Sequence, residues 1–292
     1  CWILGRILVL ASADDEAILS LLPERKTTLG SILEGNNLER LVMGFGDGLT
    51  PQDVRTLYST ASQVVAKVAN ICRDKGMEIE AAVAENAKQR FLLKMLATYP
   101  TSDVDDEARS AAEQAAVGAI ADPVTLFNEQ RCIMSLPPVT ALKSSSSSDC
   151  KSLYALLEIF QQGKLEDFQS FTSSNPNTLS TYKISPADAT RHMRLLSLCS
   201  LATEHEEVPY GVIASTLQVD QSEVESWVID AVSSGLLSAK MDQLQSVVMV
   251  EKCVVRRFGM EQWKILQERL NVWKKNVKSV LDGLKQGQEG TA

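Results

Sequence analysis

Between Ser185 and Val250 the sequence carries three apolar stripes at helical spacing, each with its own start signal, followed by two short runs suited to strands. Few architectures accept that order. Ser185-Pro186 opens the first stripe, which turns Met193, Leu196 and Leu201 inward. A Ser oxygen can accept from an orphan N–H of the first turn, and a proline at the first helical position gives up an N–H that has no intrahelical partner anyway. Pro209 opens the second stripe, in which Tyr210, Ile213, Ala214 and Leu217 recur at 0, 3, 4 and 7. After the Gln218-Val219 turn, Asp220 and Glu223 stand three apart in a capping-box arrangement ahead of Val224, Trp227, Val228 and Ala231, the same stripe again. That third helix is expected to end near Gly235, with strand candidates at 237–241 and 246–250 on either side of Asp242-Gln243-Leu244-Gln245. Helix, helix-turn-helix and hairpin, in that order, predict a winged helix over residues 185–258.

A winged helix that reads DNA lays its third helix in the major groove, where phosphates call for Lys and Arg. Residues 220–234 contain Asp220, Glu223, Glu225 and Asp230 and neither Lys nor Arg. Capping accounts for Asp220 and Glu223; nothing basic offsets Glu225 and Asp230. The chain as a whole has 29 basic and 37 acidic residues, a formal net charge of -8, which opposes attraction to nucleic acid or anionic lipid. The module is therefore expected to bind protein, with no direct DNA binding; a winged-helix nucleic-acid binder is the alternative from another class. The second strand candidate, Val247, Val248, Met249 and Val250, is unbroken by charge. It is read either as an edge open to a partner's sheet or, with equal weight, as a plain buried wing strand.

Beyond Met260 the apolar positions Trp263, Leu266, Leu270, Trp273, Val277, Val280 and Leu284 follow a strict three-four alternation. That is an a/d heptad seam, narrower than the stripe of a helix packed on its own domain. Residues 259–286 are expected to form a helix that bundles with helices of other chains, with 287–292 a disordered tail; packing within the chain is the alternative. Lys264, Lys274, Lys275, Lys278 and Lys285 occupy the other faces and read as a solvated surface.

Upstream, residues 49–184 read as helical repeats. Thr50-Pro51-Gln52-Asp53 is a helix start, and Val54, Leu57, Tyr58, Ala61, Val64, Val65, Val68, Ala69 and Cys72 form one stripe over 51–73. Further helices are expected near 79–97 and 105–121, where Asp103, Asp105, Asp106 and Glu107 suit a helix start. Such a succession suggests antiparallel pairs stacked as a solenoid. Pro137-Pro138 and the serine run 144–148 are expected to interrupt the helices, helix returning at Cys150. Gly163 should divide 153–171 into two helices by a left-handed cap, packing Leu156, Leu157 and Phe160 against Leu165, Phe168 and Phe171. The fold class is thus mainly α: a helical-repeat array, a winged helix with a small β-hairpin wing, and a long C-terminal helix. Residues 1–48 show helix-like spacing only at 17–22 and 38–43. The apolar run at 1–13 is too short to span a bilayer, and the chain is expected to continue from missing upstream sequence.

Chemistry is hard to find. Cys1, Cys72, Cys132, Cys150, Cys199 and Cys253 include no CxxC pair and read as buried, reduced thiols of an intracellular protein. His192 and His205 have no metal-spaced partner. Gly44, Gly46 and Gly48 alternate, but no Gly-Lys-Ser/Thr follows, so they read as a loop. No catalytic residue, cofactor or metal is expected.

The order of helical array, winged helix and terminal helix resembles the PCI-domain family of the proteasome lid, the COP9 signalosome and translation initiation factor three. Within it, Arg191-His-Met-Arg-Leu-Leu-Ser-Leu198, Val208-Pro-Tyr210, Leu217-Gln-Val219, Glu223-Val-Glu-Ser-Trp-Val-Ile-Asp-Ala-Val232, Lys240-Met-Asp-Gln243 and Phe258-Gly-Met-Glu-Gln-Trp263 with Trp273 are similar to the M-subunit family of initiation factor three. Signalosome subunit seven is next, but lacks the Phe-Gly-x-x-Gln-Trp start of the last helix. The resemblance implies a cytoplasmic, non-catalytic scaffold. It would meet other PCI and MPN subunits through winged-helix sheets and a C-terminal helical bundle, and the small ribosomal subunit through the complex. No membrane partner is implied.

Overall fold

A computed structural model describes residues 32–33, 36–44, 48–100, 104–122, 127, 133–145, 147–256 and 260–289. The expected apolar opening run, the spacing at 17–22 and residues 290–292 of the expected tail lie outside them, as do Cys1, Cys132 and Gly46.

The helical part begins with α1 (Asn37–Gly44), α2 (Pro51–Asp74) and α3 (Glu78–Leu96). Thr50 caps α2 as expected: its Oγ1 accepts from the Asp53 N–H at 3.2 Å, and the Asp53 carboxylate accepts from the Thr50 N–H at 3.1 Å. Gly76, at φ 72, turns the chain so that α3 packs back along α2, an antiparallel pair. Then come α4 (Asp106–Ala121), capped by Asp105, α5 (Pro137–Lys143), α6 (Ser148–Gln162), α7 (Leu165–Ser174) and α8 (Pro176–Thr181). The prolines at 137–138 start a helix rather than interrupting one. Pro137 sits at the first position, where no hydrogen bond is lost, and Pro138, Val139 and Leu142 are buried. The serine run shrinks accordingly: Ser144 ends α5 and Ser148 already begins α6.

Gly163 does separate α6 from α7, though by another mechanism than the one expected. Its φ of -79 and ψ of 168 are extended, not left-handed. A Cβ there would lie 2.8 Å from the Ile159 carbonyl oxygen and 3.0 Å from the Ile159 Cα, so glycine is required by close approach of backbone. The hairpin packs Phe160 edge-on against Phe168, centroids 5.7 Å apart.

The winged helix follows as α9 (Pro186–Glu204), β1 (Glu207–Pro209), α10 (Tyr210–Leu217), α11 (Val224–Ser233), β2 (Leu237–Asp242) and β3 (Val247–Cys253). Ser185 caps α9, and Gly235, at φ 73, releases the chain from α11. Asp220 makes no side-chain cap; residues Gln221–Glu223 form a 3-10 turn, so the expected capping box is absent. The sheet is antiparallel with order β1-β3-β2. A third strand, β1, therefore exists that the hairpin reading did not contain.

Two hydrophobic cores meet on α9. Ala189, Met193 and Leu196 belong to the core of the helical array, whereas Leu195, Leu198, Cys199 and Ala202 belong to that of the winged helix. A boundary drawn at 184/185 thus leaves a shared wall on one side only. The last element, α12 (Met260–Glu289), runs past the expected limit at 286.

Candidate interaction surfaces

The seam of α12 is solvent-exposed. Trp263, Leu270, Trp273 and Val280 are each more than half exposed, and Leu266 and Val277, at 38% and 40%, are the least so. Leu284 lies in the helix, but its side chain is outside the description. A thirty-residue amphipathic helix that turned this stripe onto its own domain would bury it, so the alternative of packing within the chain is not what the structure has. Isolated helices are marginal in water, and most helical stability comes from packing an apolar face. The row of large apolar side chains on α12 is left in solvent, where single exposed apolar residues are ordinary but a contiguous row is not.

The wing is a different matter. Val247–Val250 were an expected edge, but β3 is the central strand, bonded to β2 along its length and to β1 through Glu207↔Met249, Val208↔Val248 and Pro209↔Val247. Val250 N–H also donates to the Glu206 carbonyl at 2.8 Å, and Val248 is buried. The edge reading of Val247, Val248, Met249 and Val250 is thus corrected: these residues close the sheet from within. Among the described residues the outer strands are β1 and β2. β3 bulges at Glu251, opposite Ser238 and Ala239 of β2, and Lys240 of β2 is ion-paired to Glu251 at 2.7 Å, which raises the lysine's pKa and lowers the carboxylate's.

The acidic character of α11 also has structural uses. Asp230 accepts from Arg191 of α9 through Nε at 2.9 Å and through Nη2, so the basic partner that the local sequence lacked comes from 39 residues upstream. Glu225 accepts from the Tyr210 hydroxyl at 3.2 Å and from Gln243 Nε2 at 3.0 Å, tying α11 to α10 and to the wing turn. Residues 220–234 nonetheless present no cation of their own, and phosphate would be repelled there.

One residue that joins the two cores was invisible in the sequence. Arg256, just past β3, is buried and donates to carbonyls on both sides of the junction. Nη1 reaches the Leu196 carbonyl at 3.1 Å and Ser200 Oγ at 2.9 Å on α9; Nη2 reaches the Phe160 carbonyl at 2.7 Å and the Gly163 carbonyl at 3.1 Å at the end of α6. A guanidinium suits the negative end of a helix, and its planar fork serves two elements at once. It fixes the winged helix on the array at the root of α12.

Burial is the main cause of the shifts at four titratable groups. Burial pushes the Cys199 thiol and the Tyr182 hydroxyl each up to about 12, and raises the Cys72 thiol. Burial also lowers the His192 imidazole. Cys72, Cys150, Cys199 and Cys253 are free thiols. Among the described residues no group of three or more His, Cys, Asp or Glu is placed to hold a metal, and no helix is long and apolar enough to cross a membrane. A groove of about 620 Å³ between α3 and α4 has charged walls, but Glu85 there is already paired with Arg73 and Lys88, and Gln89 with the Ala115 carbonyl.

Comparison with known proteins agrees with this layout. Residues 174–252 match the PCI domain, and residues 256–284 match the model described as "eIF3 subunit M, C-terminal helix". The chain is 38% identical over 194 residues to eukaryotic translation initiation factor 3 subunit M of Dictyostelium discoideum, covering 66% of this chain and 47% of the relative. It is 31% identical over 195 residues to subunit M of Nematostella vectensis (67% and 49%) and 34% identical over 230 residues to that of Aspergillus terreus (74% and 49%). The chain spans about half the length of the relatives it matches. The winged helix, Arg256 and most of the exposed terminal helix fall within the matched residues, and the chain is a PCI-domain protein of the kind represented by subunit M of eukaryotic translation initiation factor 3.

Proposed function

We propose that this chain is a non-catalytic scaffold subunit of the cytoplasmic translation initiation factor 3 complex. It helps assemble the factor on the small ribosomal subunit, where mRNA and initiator tRNA are recruited. Its partners are other PCI and MPN subunits, joined chiefly through helix α12. The observation that carries this reading is the exposed seam of α12, from Trp263 to Val280, on a chain whose other long helices are buried in two cores. A buried arginine at the root of that helix and the match of residues 256–284 support it further. The acidic α11 favours protein over nucleic acid as the direct partner of the winged helix.

The test replaces Leu270→Asp and Val277→Asp together in the intact chain and asks what co-purifies from cells. Initiation factor subunits should be recovered with the unchanged chain and lost with the double variant. The variant's circular dichroism and unfolding midpoint should stay the same, because both positions are exposed. Recovery of signalosome or lid subunits, or undiminished assembly of the variant, would sink the reading.

A further inference from the structure

The charges beside the α12 seam specify the chemistry of what covers it. With Trp263, Leu270 and Val277 at a, and Leu266, Trp273 and Val280 at d, the flanking e positions are Gln267, Lys274 and Leu281 and the g positions Arg269 and Asn276. Lys264 and Lys278 fall at b, widening the cationic rim on the e side. The acids Glu268 and Asp282 both fall at f, facing away from a helix docked on the seam. Lys275 falls at f with them, so the cations beside the seam between Arg269 and Leu281 are Arg269, Lys274 and Lys278, with no acid beside them, in a chain of net charge -8. All of these side chains are exposed.

This pattern argues against a second copy of the chain. Pairing in parallel sets g against the following e of the other helix, which brings Arg269 to Lys274. Antiparallel pairing sets e against e and g against g, and none of the described flanking positions supplies an acid. Self-association would gather the rim cations with nothing to offset them, a repulsion that grows as the seam excludes water.

We propose that the α12 seam takes an amphipathic helix from a different chain whose own flanking positions are acidic. This rests on the reading of α12 as the partner-binding element. The apolar seam supplies the affinity, while Arg269 and Lys274, with Lys264 and Lys278 behind, select among helices of equal apolar content and disfavour a second copy.

The experiment uses the intact chain and two dye-labelled four-heptad peptides with the same Leu/Val seam, one with Glu and one with Lys at every e and g position. Anisotropy titrations should show the Glu peptide binding roughly tenfold more tightly at low salt, the gap closing as salt screens it. Arg269→Glu with Lys274→Glu should reverse the order. Equal affinity for both peptides, or a preference that survives the reversal, would overturn the proposal. So would a homodimer in light scattering that dissociates on Leu270→Asp, or an RNA duplex that outcompetes the Glu peptide. If the two peptides bind equally and Leu270→Asp with Val277→Asp abolishes both, the acidic preference fails and the partner-binding seam stands. If neither peptide binds, the acidic preference falls, and the co-purification test then decides the seam by itself.

Discussion

Arg256 shows how much of the junction rests on one side chain. Its fork satisfies the Phe160 and Gly163 carbonyls where α6 has run out of its own N–H donors, and the Leu196 carbonyl and Ser200 hydroxyl on α9. Arg256→Met keeps the aliphatic stem but strands the Phe160 and Gly163 carbonyls in a buried place, while the Leu196 carbonyl keeps the Ser200 hydroxyl as donor, and should lower stability by about 2–4 kcal/mol. A urea titration of the two proteins measures it, and a change under half a kcal/mol would show that water replaces the guanidinium. Arg256→Lys should recover only part of the loss, because a single ammonium cannot span the end of α6 and the side of α9 together. No sequence pattern announces this residue. The acceptors lie 93 and 96 positions upstream on α6 and 56 and 60 on α9, and an arginine after a strand reads as solvent-facing by default. The caps at Thr50, Asp105 and Ser185 were legible for the opposite reason, since donor and acceptor sit within three residues.

At the scale of elements, local rules gave the helices but not the pairing of strands. The two short runs at 237–241 and 246–250, either side of a polar turn, showed two strands, yet β1 is three residues long and ends in proline, too short for any pattern, and its presence moves β3 from the edge to the centre. The same limit explains α11: Asp230 looked unpaired because its arginine belongs to another helix. Gly163 is the informative intermediate case, where the break was readable but its cause was not. The turn between α6 and α7 brings the backbone against Ile159 without a positive φ, so a side chain is excluded by space alone. Gly163→Ala must push the α7 start outward and draw the Gly163 carbonyl away from Arg256. It should cost about 1–3 kcal/mol, the range of overpacked sites. Thermal unfolding checks it. In an Arg256→Met background the same substitution should cost measurably less, since one of its two penalties has already been incurred. Strict additivity would place the strain in the α6–α7 turn alone.

Among the described residues two cores are joined through a shared helix, with α12 outside both. Met193 and Leu196 on α9 complete the array while Leu195, Leu198 and Cys199 complete the winged helix, one residue apart in sequence and on adjacent faces. Losing either core removes half the burial that holds α9 helical, and Arg256 ties the same two bodies by hydrogen bonds. Residues 48–256 should therefore unfold as one cooperative unit rather than two. Leu153, fully buried in the array core, and Trp227, packed on the winged-helix core beside Arg194, provide the test because neither belongs to the other's core. With Trp2, Trp263 and Trp273 replaced by Phe, Trp227 is the remaining tryptophan of four, and its emission reports the winged helix alone. Leu153→Ala leaves a cavity that should cost about 3–5 kcal/mol. If the cores are coupled through α9, the urea midpoint seen by Trp227 falls by the same amount as that seen by far-ultraviolet circular dichroism. If instead the Trp227 midpoint holds while the dichroism loses amplitude at lower urea, the winged helix stands without the array, and α9 is a connector rather than a shared wall.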